Sequence, residues 1–296
     1  MSFPFRTGGD AAEQAAATSF GGIRYFSLAK PGERAIIRML TEQHAWPYVA
    51  QHGFMPTKAK PSNLKEEQKW PKSMPAICQN DPALLDRPGM GDCYLCKAPQ
   101  YQGNDQFGKK MSKTSIRAWA LCCLREEVKE DGKVVGYKDK LIEVEEKEGA
   151  KKLVRDIQVL NMSTRNFFSH FTSMFHIYGT VCDRDYVIQR RNEGKDTDYP
   201  PVPLDKIPGH EPGSESWAAY AESMREQGID LAEIMLERCS PEYFAKFFIP
   251  GEGETAPEAE KSGEAAPPPS AEKLSDIRNR IKSYQPKTAD TASAES

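Results

Sequence analysis

Four residues constrain this chain more than any others: His52, Cys78, Cys93 and Cys96. Cysteines separated by two residues, as in Cys93-Tyr94-Leu95-Cys96, can hold one metal ion from a tight turn. Zinc takes four soft or borderline ligands in a tetrahedron, and one histidine with three cysteines is a common structural set. Gly89, Gly91 and Asp92 precede the knuckle, and Lys97 and Pro99 follow it, which suits a loop folded round an ion. A redox Cys-x-x-Cys pair wants a strand–helix junction, and the residues after Cys96 do not read as a helix start. A Cys78–Cys93 disulfide belongs to an oxidising compartment, of which the sequence gives no sign. His44 is the alternative fourth ligand. With four protein ligands the expected Zn2+, one per chain, is structural and leaves no open position for catalysis.

The sequence opens Met-Ser-Phe-Pro-Phe-Arg, without the apolar run of a signal peptide. No apolar stretch approaches the roughly 18 residues of a membrane span. The reading predicts a cytoplasmic protein with no membrane partner. Seven cysteines fit a reducing compartment, with Cys122, Cys123, Cys182 and Cys239 as buried small hydrophobes. The net charge of −3 hides a division. Residues 205–296 hold 18 acidic and 10 basic side chains, a net of −8, which leaves 25 acidic and 30 basic in residues 1–204, a net of +5. A basic body with an acidic end is a recurring layout in nucleic-acid-binding proteins, and it predicts a tail that competes with nucleic acid for the body.

Residues 1–21 read as a mobile arm. Ile23–Leu28 and Glu33–Leu40 read as a strand pair joined at Pro31-Gly32. Trp46–Phe54 is a third strand that delivers His52, and the proline- and lysine-rich stretch 56–76 reads as loop. Ile116–Val128 is a strand, Asp131-Gly132 a hairpin turn, Val134–Val144 its partner, and Lys152–Leu160 another strand. Ser163 is placed to cap a helix through Phe175, whose Phe167, Phe171 and Phe175 form one stripe. Tyr186–Arg191 and Asp198–Leu204 pair late. Short strands at regular spacing predict a mainly β core over 22–213, an OB-fold barrel of about five strands, with a zinc subdomain inserted at about 44–110. Residues 214–250 read helical. Residues 251–296 read as an acidic, Pro-rich disordered tail, with a short amphipathic helix at 273–284.

Beside the knuckle, aromatic and basic residues interleave: Tyr101, Phe107, Lys109, Lys110, Lys113, Arg117 and Trp119. Such a mixture holds single-stranded nucleic acid, with cations along the phosphates and flat side chains on the bases. Trp119 fits the core equally well. Arg190 and Arg191 add cations on a late strand. No nucleotide-binding glycine loop and no Ser/His/Asp ordering stands out, so the expectation is a binding protein and not an enzyme.

Several stretches resemble the helix-destabilising single-stranded DNA-binding protein of T-even-type phages. They are Ala35-Ile36-Ile37-Arg38-Met39-Leu40, Gln51-His52-Gly53-Phe54, Cys78 with Cys93-x-x-Cys96, Lys113-Thr114-Ser115 with the apolar strand after it, and the spacing of Tyr186 to Tyr199. The resemblance covers roughly residues 33–204. It implies an OB fold with a zinc subdomain, and it sets Phe107 and Tyr199 at the positions of cleft tyrosines. It implies sequence-independent binding of single-stranded DNA in replication, recombination and repair, partner proteins recruited through the tail, and self-association on DNA. The spacers from His52 to Cys78 and from Cys78 to Cys93 are longer than in that family. Arg6 is the only basic residue among the first 20, so the resemblance does not extend to the family's basic arm motif. A zinc-knuckle regulator of RNA or duplex DNA is the alternative from a different class, and a zinc-stabilised nuclease is a third.

Overall fold

The run Ala118-Trp119-Ala120-Leu121-Cys122-Cys123 has no polar residue to give a strand a wet face. A strand so composed must be covered on both sides. The computed structural model describes residues 23–61, 70–87, 89–104, 110–145, 151–192 and 197–250. The strands in chain order are β1 (Arg34–Met39), β2 (Tyr48–Pro56), β3 (Ser73–Ile77), β4 (Thr114–Glu130), β5 (Lys133–Asp139), β6 (Leu141–Glu145), β7 (Lys151–Arg155), β8 (Ile157–Ser163), β9 (Arg184–Gln189) and β10 (Pro201–Lys206). The helices are α1 (Tyr94–Lys97), α2 (Ser169–Tyr178), α3 (Glu215–Glu226), α4 (Leu231–Glu237) and α5 (Pro241–Phe247). The apolar run is the middle of β4. The arm, the tail and the expected helix at 273–284 lie outside the described residues. No described helix is long and apolar enough to cross a membrane.

β4 organises a mainly antiparallel sheet in the order β10-β9-β1-β4-β2-β3. Along one edge it pairs first with β2, from His52–Thr114 to Tyr48–Ala118, and then with β1 at Cys122–Arg125. Along the other it pairs with β8 at Arg117–Cys123 and with β5 beyond Arg125. Ala118, Ala120 and Cys122 enter a core with Ile37, Phe167 and Phe171. Trp119, Leu121 and Cys123 enter a second core with Tyr220, Ile234 and Met235 of α3 and α4. The helices start where the sequence caps them: Ser214, Asp230 and Ser240 each accept a hydrogen bond from the first turn of α3, α4 and α5. Ser163 caps a π-helical turn, Thr164–Phe168, that runs into α2, and Gly179 closes α2 at φ 78°, where a side chain is unfavourable.

Four expectations change. The sheet is open, since among the described residues no ladder joins β10 to β3, so hydrogen bonds do not close a barrel. Residues 23–28 do not form a hairpin with β1, because both edges of β1 are taken by β4 and β9. They lie parallel to β8 through Tyr25 and Val159. The stretch 56–76 is not all loop, for Met74 and Ala76 alternate inward along β3, an end strand where Pro75 is tolerated. The strand expected over Val134–Val144 divides, as does that over Lys152–Leu160. The amides and carbonyls of Leu124, Lys140 and Asp156 close a three-way junction there, from which β6 and β7 leave as a separate hairpin.

An ionic network crosses the second core. Arg38 and Asp185, both fully buried, pair at 2.8 Å, and Arg125 reaches the second Asp185 oxygen at 3.2 Å. Arg125 also pairs with Asp139, which accepts from Arg155 at 2.8 Å and from the Tyr220 hydroxyl at 2.7 Å. Burial alone would raise the Asp139 carboxyl, but the Tyr220 and Arg155 hydrogen bonds, with the charges of Arg125 and Arg155, hold it below its ordinary value. Arg38 also donates to Nδ1 of His210, whose pKa is pulled down by burial and then by the charges of Arg38 and Arg125.

Removing one partner strands the other charge. Arg38→Met should cost about 3–5 kcal/mol in urea unfolding at neutral pH. Asp139, depressed in the folded state, contributes stability fully above its unfolded value near about 4. That contribution is lost as pH falls through the lower folded value. Acidification through that range should therefore lower the urea midpoint more steeply in the parent protein than in Asp139→Asn.

Candidate metal centre and its basic margin

His52 arrives on β2 just before a bulge at Gly53, which shifts the register against β3. Cys78 follows β3, and its amide bonds back to the Ala50 carbonyl at 2.8 Å, so both ligands hang from β2. Cys93 caps α1 and Cys96 lies within it. The loop between is folded by its own polar groups. The Asp81 carboxylate accepts from the Ala83 amide at 2.8 Å and also from Ala50 of β2. Asn80 accepts from the Cys93 amide at 3.1 Å. A third core sits beneath, where Met55, Met74, Leu95 and Tyr101 pack against Tyr243, Phe244, Phe247 and Phe248 of α5 and the residue after it.

One donor atom each of His52, Cys78, Cys93 and Cys96 lies within 4.8 Å of the others. A tetrahedral zinc with ordinary bond lengths places sulfurs about 3.8 Å apart and nitrogen about 3.6 Å from sulfur. Cys78 Sγ and Cys96 Sγ are 3.6 Å apart, and His52 Nε2 is 3.4 Å from Cys93 Sγ and 3.7 Å from Cys96 Sγ. The donor set fits one structural Zn2+. His52 is fully buried, and among the described residues its Nδ1 has no hydrogen-bond partner. That leaves Nε2 as the ring atom facing the cluster. The hydrogen bond from Cys78 pulls the Cys93 thiol down to about 4 against burial, with His52 adding to it. That same bond, and burial, push Cys78 up, while burial and the Cys93 charge push Cys96 up. Zinc there would fold the loop and hold α1 against β2, with no position open to a substrate. His44 lies elsewhere, exposed on a short 3-10 turn, Gln43–Ala45.

The other expected site residues divide into three groups. Tyr101 and Trp119 are each 1% exposed. Tyr101 donates its hydroxyl to the Pro56 carbonyl at 3.0 Å, and Trp119 meets the Tyr25 ring edge-on at 6.2 Å. Both rings are core in this structure, since the third and second cores cover the faces a base would need. Phe107 and Lys109 lie outside the described residues. Lys110 and Lys113 are exposed on the turn that enters β4. Arg117 and Arg190 both act on the half-buried Tyr199 hydroxyl, which burial raises and their charges lower. Arg117 is largely buried and donates to the Asn161 carbonyl at 3.4 Å. Arg190 donates to the Leu28 carbonyl at 2.9 Å and so also braces the turn before β1. Arg191 is exposed, with its backbone bridged to Asp198.

Two residues not singled out from sequence join this margin. Tyr48 is 44% and Ile116 54% exposed. Tyr48 pairs with Ala118, and Ile116 with Ala50, so the two are diagonal neighbours on one face. Ala118 belongs to the first core and Ala50 packs on the third, so they sit on a saddle between the two. Their sequence signal is the alternation of Tyr48, Val49 and Ala50 along β2, with Val49 buried between them. Comparison with protein families, with curated proteins and with solved structures finds no match to this chain.

Protein purified without chelator should carry one zinc per chain by elemental analysis, and His52→Ala or Cys93→Ser should lose it. Because metal binding displaces the remaining thiol protons, zinc retention should weaken as pH falls. Unchanged zinc content in His52→Ala would refute the ligand set.

Proposed function

We propose that this chain binds single-stranded DNA without strong sequence preference and coats unpaired DNA during replication, recombination and repair. The observation that carries the reading is one strand pair. His52, a candidate metal ligand, pairs with Thr114, and Thr114 follows the exposed Lys110 and Lys113 directly. A metal-fixed loop thus stands beside the cationic entry to β4. The saddle of Tyr48 and Ile116 lies on the same two strands, and the pair Arg117 and Arg190 flanks Tyr199. In this reading the open sheet around β4 is an OB fold, and the resemblance in ligand order and in Lys113-Thr114-Ser115 supports the same reading.

The physics then separates polymers. Cations neutralise phosphates of any nucleic acid and release counterions, at a salt slope of about −0.7 per phosphate on a single strand. Exposed flat side chains stack only on bases that are unpaired. The metal module supplies shape, and no chemical step is involved. The role is that of a binding protein, not an enzyme.

Titration of fluorescent oligo-dT, a duplex and an RNA of equal length at several salt concentrations tests the proposal. Oligo-dT should bind much more tightly than duplex. Lys113→Ala should weaken binding and flatten the salt slope by about 0.7. Tyr48→Ala should weaken it by about 1–3 kcal/mol with the slope unchanged. Duplex or RNA bound as tightly as oligo-dT would defeat the reading and favour a zinc-knuckle regulator.

A further inference from the structure

The opposite face of β2 carries a cavity that nucleic-acid binding does not use. Its volume is about 540 Å³, within the range of sites that enclose small organic groups. Val49, Ile77 and Leu84 line it from the body, and Leu231, Met235 and Leu236 from α4. Successive residues of a strand point to opposite faces. Val49 therefore faces the cavity, while Tyr48 and Ala50 face the saddle. An occupant of one face leaves the other open.

Among its lining residues the polar side chains are Thr41, His44 and Arg87. Thr41 is committed to the fold, since its hydroxyl oxygen accepts from the Leu121 amide at 2.9 Å and its carbonyl from Trp46 at 2.9 Å. Arg87 is exposed, and among the described residues no carboxylate pairs with it. An apolar floor beside an exposed guanidinium is complementary to an apolar side chain next to a carboxylate. Arginine is also the cation that recognises a planar carboxylate with two parallel hydrogen bonds.

We propose that this cavity is a docking site for a short acidic segment of a partner protein, which seats one large apolar side chain on the floor and brings a carboxylate to Arg87. The site stands independently of the nucleic-acid reading. Because the two surfaces lie back to back across β2, a partner held here rides on the protein while the saddle stays free.

The test uses the full-length chain and a fluorescein-labelled decapeptide in which phenylalanine and leucine sit among aspartates. Control peptides carry lysine for aspartate, or alanine for the apolar pair. Fluorescence anisotropy should show binding of the acidic peptide alone. Arg87→Glu, at an exposed position with no carboxylate partner among the described residues, should weaken it on the order of tenfold or more. It should also admit the lysine peptide. Met235→Trp, which fills the cavity, should abolish binding, and if that variant fails to fold, the charge reversal still decides. Four results would overturn the proposal: no binding of the acidic peptide at millimolar concentration, affinity unchanged in Arg87→Glu, displacement of the peptide by oligo-dT, or self-association of the chain that Met235→Trp abolishes, which would make a second copy the occupant.

Discussion

Burial of β4 on both faces is the constraint on which the rest depends. Removing Leu121 from water contributes on the order of 1.5–3 kcal/mol, and the alanines and cysteines of the same run contribute less, but only if two separate layers cover the strand. One layer is the π-turn and α2, with Phe167, Phe168 and Phe171 packed on Ala118, Ala120 and Cys122. The other is α3 and α4 on Trp119, Leu121 and Cys123. The small residues on the first face leave room for the phenylalanine rings, and Trp119 and Leu121 on the second meet Tyr220, Ile234 and Met235. The buried Arg38 and Asp185, with the partly buried Arg125 and Asp139, tie β1, β9, β4 and β5 together under α3. Such a network is weak evidence for net stability, but it penalises wrong registers, since a slip would strand a charge.

The covered part of β4 ends at Ala118, and the strand continues as an exposed edge with Ile116 and the turn of Lys110 and Lys113. β2 covers that end on one edge only, and β2 is itself held there by β3 and by the third core, with its rings from α5. The four candidate ligand side chains lie beside that core, where a metal ion would tie them together. Binding energy of a structural metal is folding energy. An ion held by the four candidate ligands would therefore help set the shape of the saddle between the first and third cores.

Much of this was legible. The ligand set stood out because Cys-x-x-Cys spacing is a local signal and the geometry of zinc permits few alternatives. The helix caps at Ser163 and Ser240 were legible for the same reason, as local hydrogen bonds. What was not legible depends on partners distant in sequence. Whether Trp119 and Tyr101 face solvent is decided by α4 and α5, more than a hundred residues on. The division of two expected strands at Lys140 and Asp156 is decided by Leu124 across the sheet. β3 was hidden because Pro75 reads as a breaker, although an end strand accepts it. The ionic network left no local trace, since Arg38 lies in an apolar strand and its partner Asp185 lies 147 residues away.

The central claim is that the metal centre and the nucleic-acid face share β2 and the start of β4. Hydrogen exchange of the full-length protein, with and without zinc and with and without oligo-dT, tests it most directly. Oligo-dT should slow exchange in residues 48–56 and 110–118 and leave α4 unchanged, and removal of zinc should speed exchange in residues 48–56 and 73–101 before the rest of the sheet. Protection by oligo-dT confined to other segments, or a β2 that exchanges as slowly without zinc as with it, would contradict the claim.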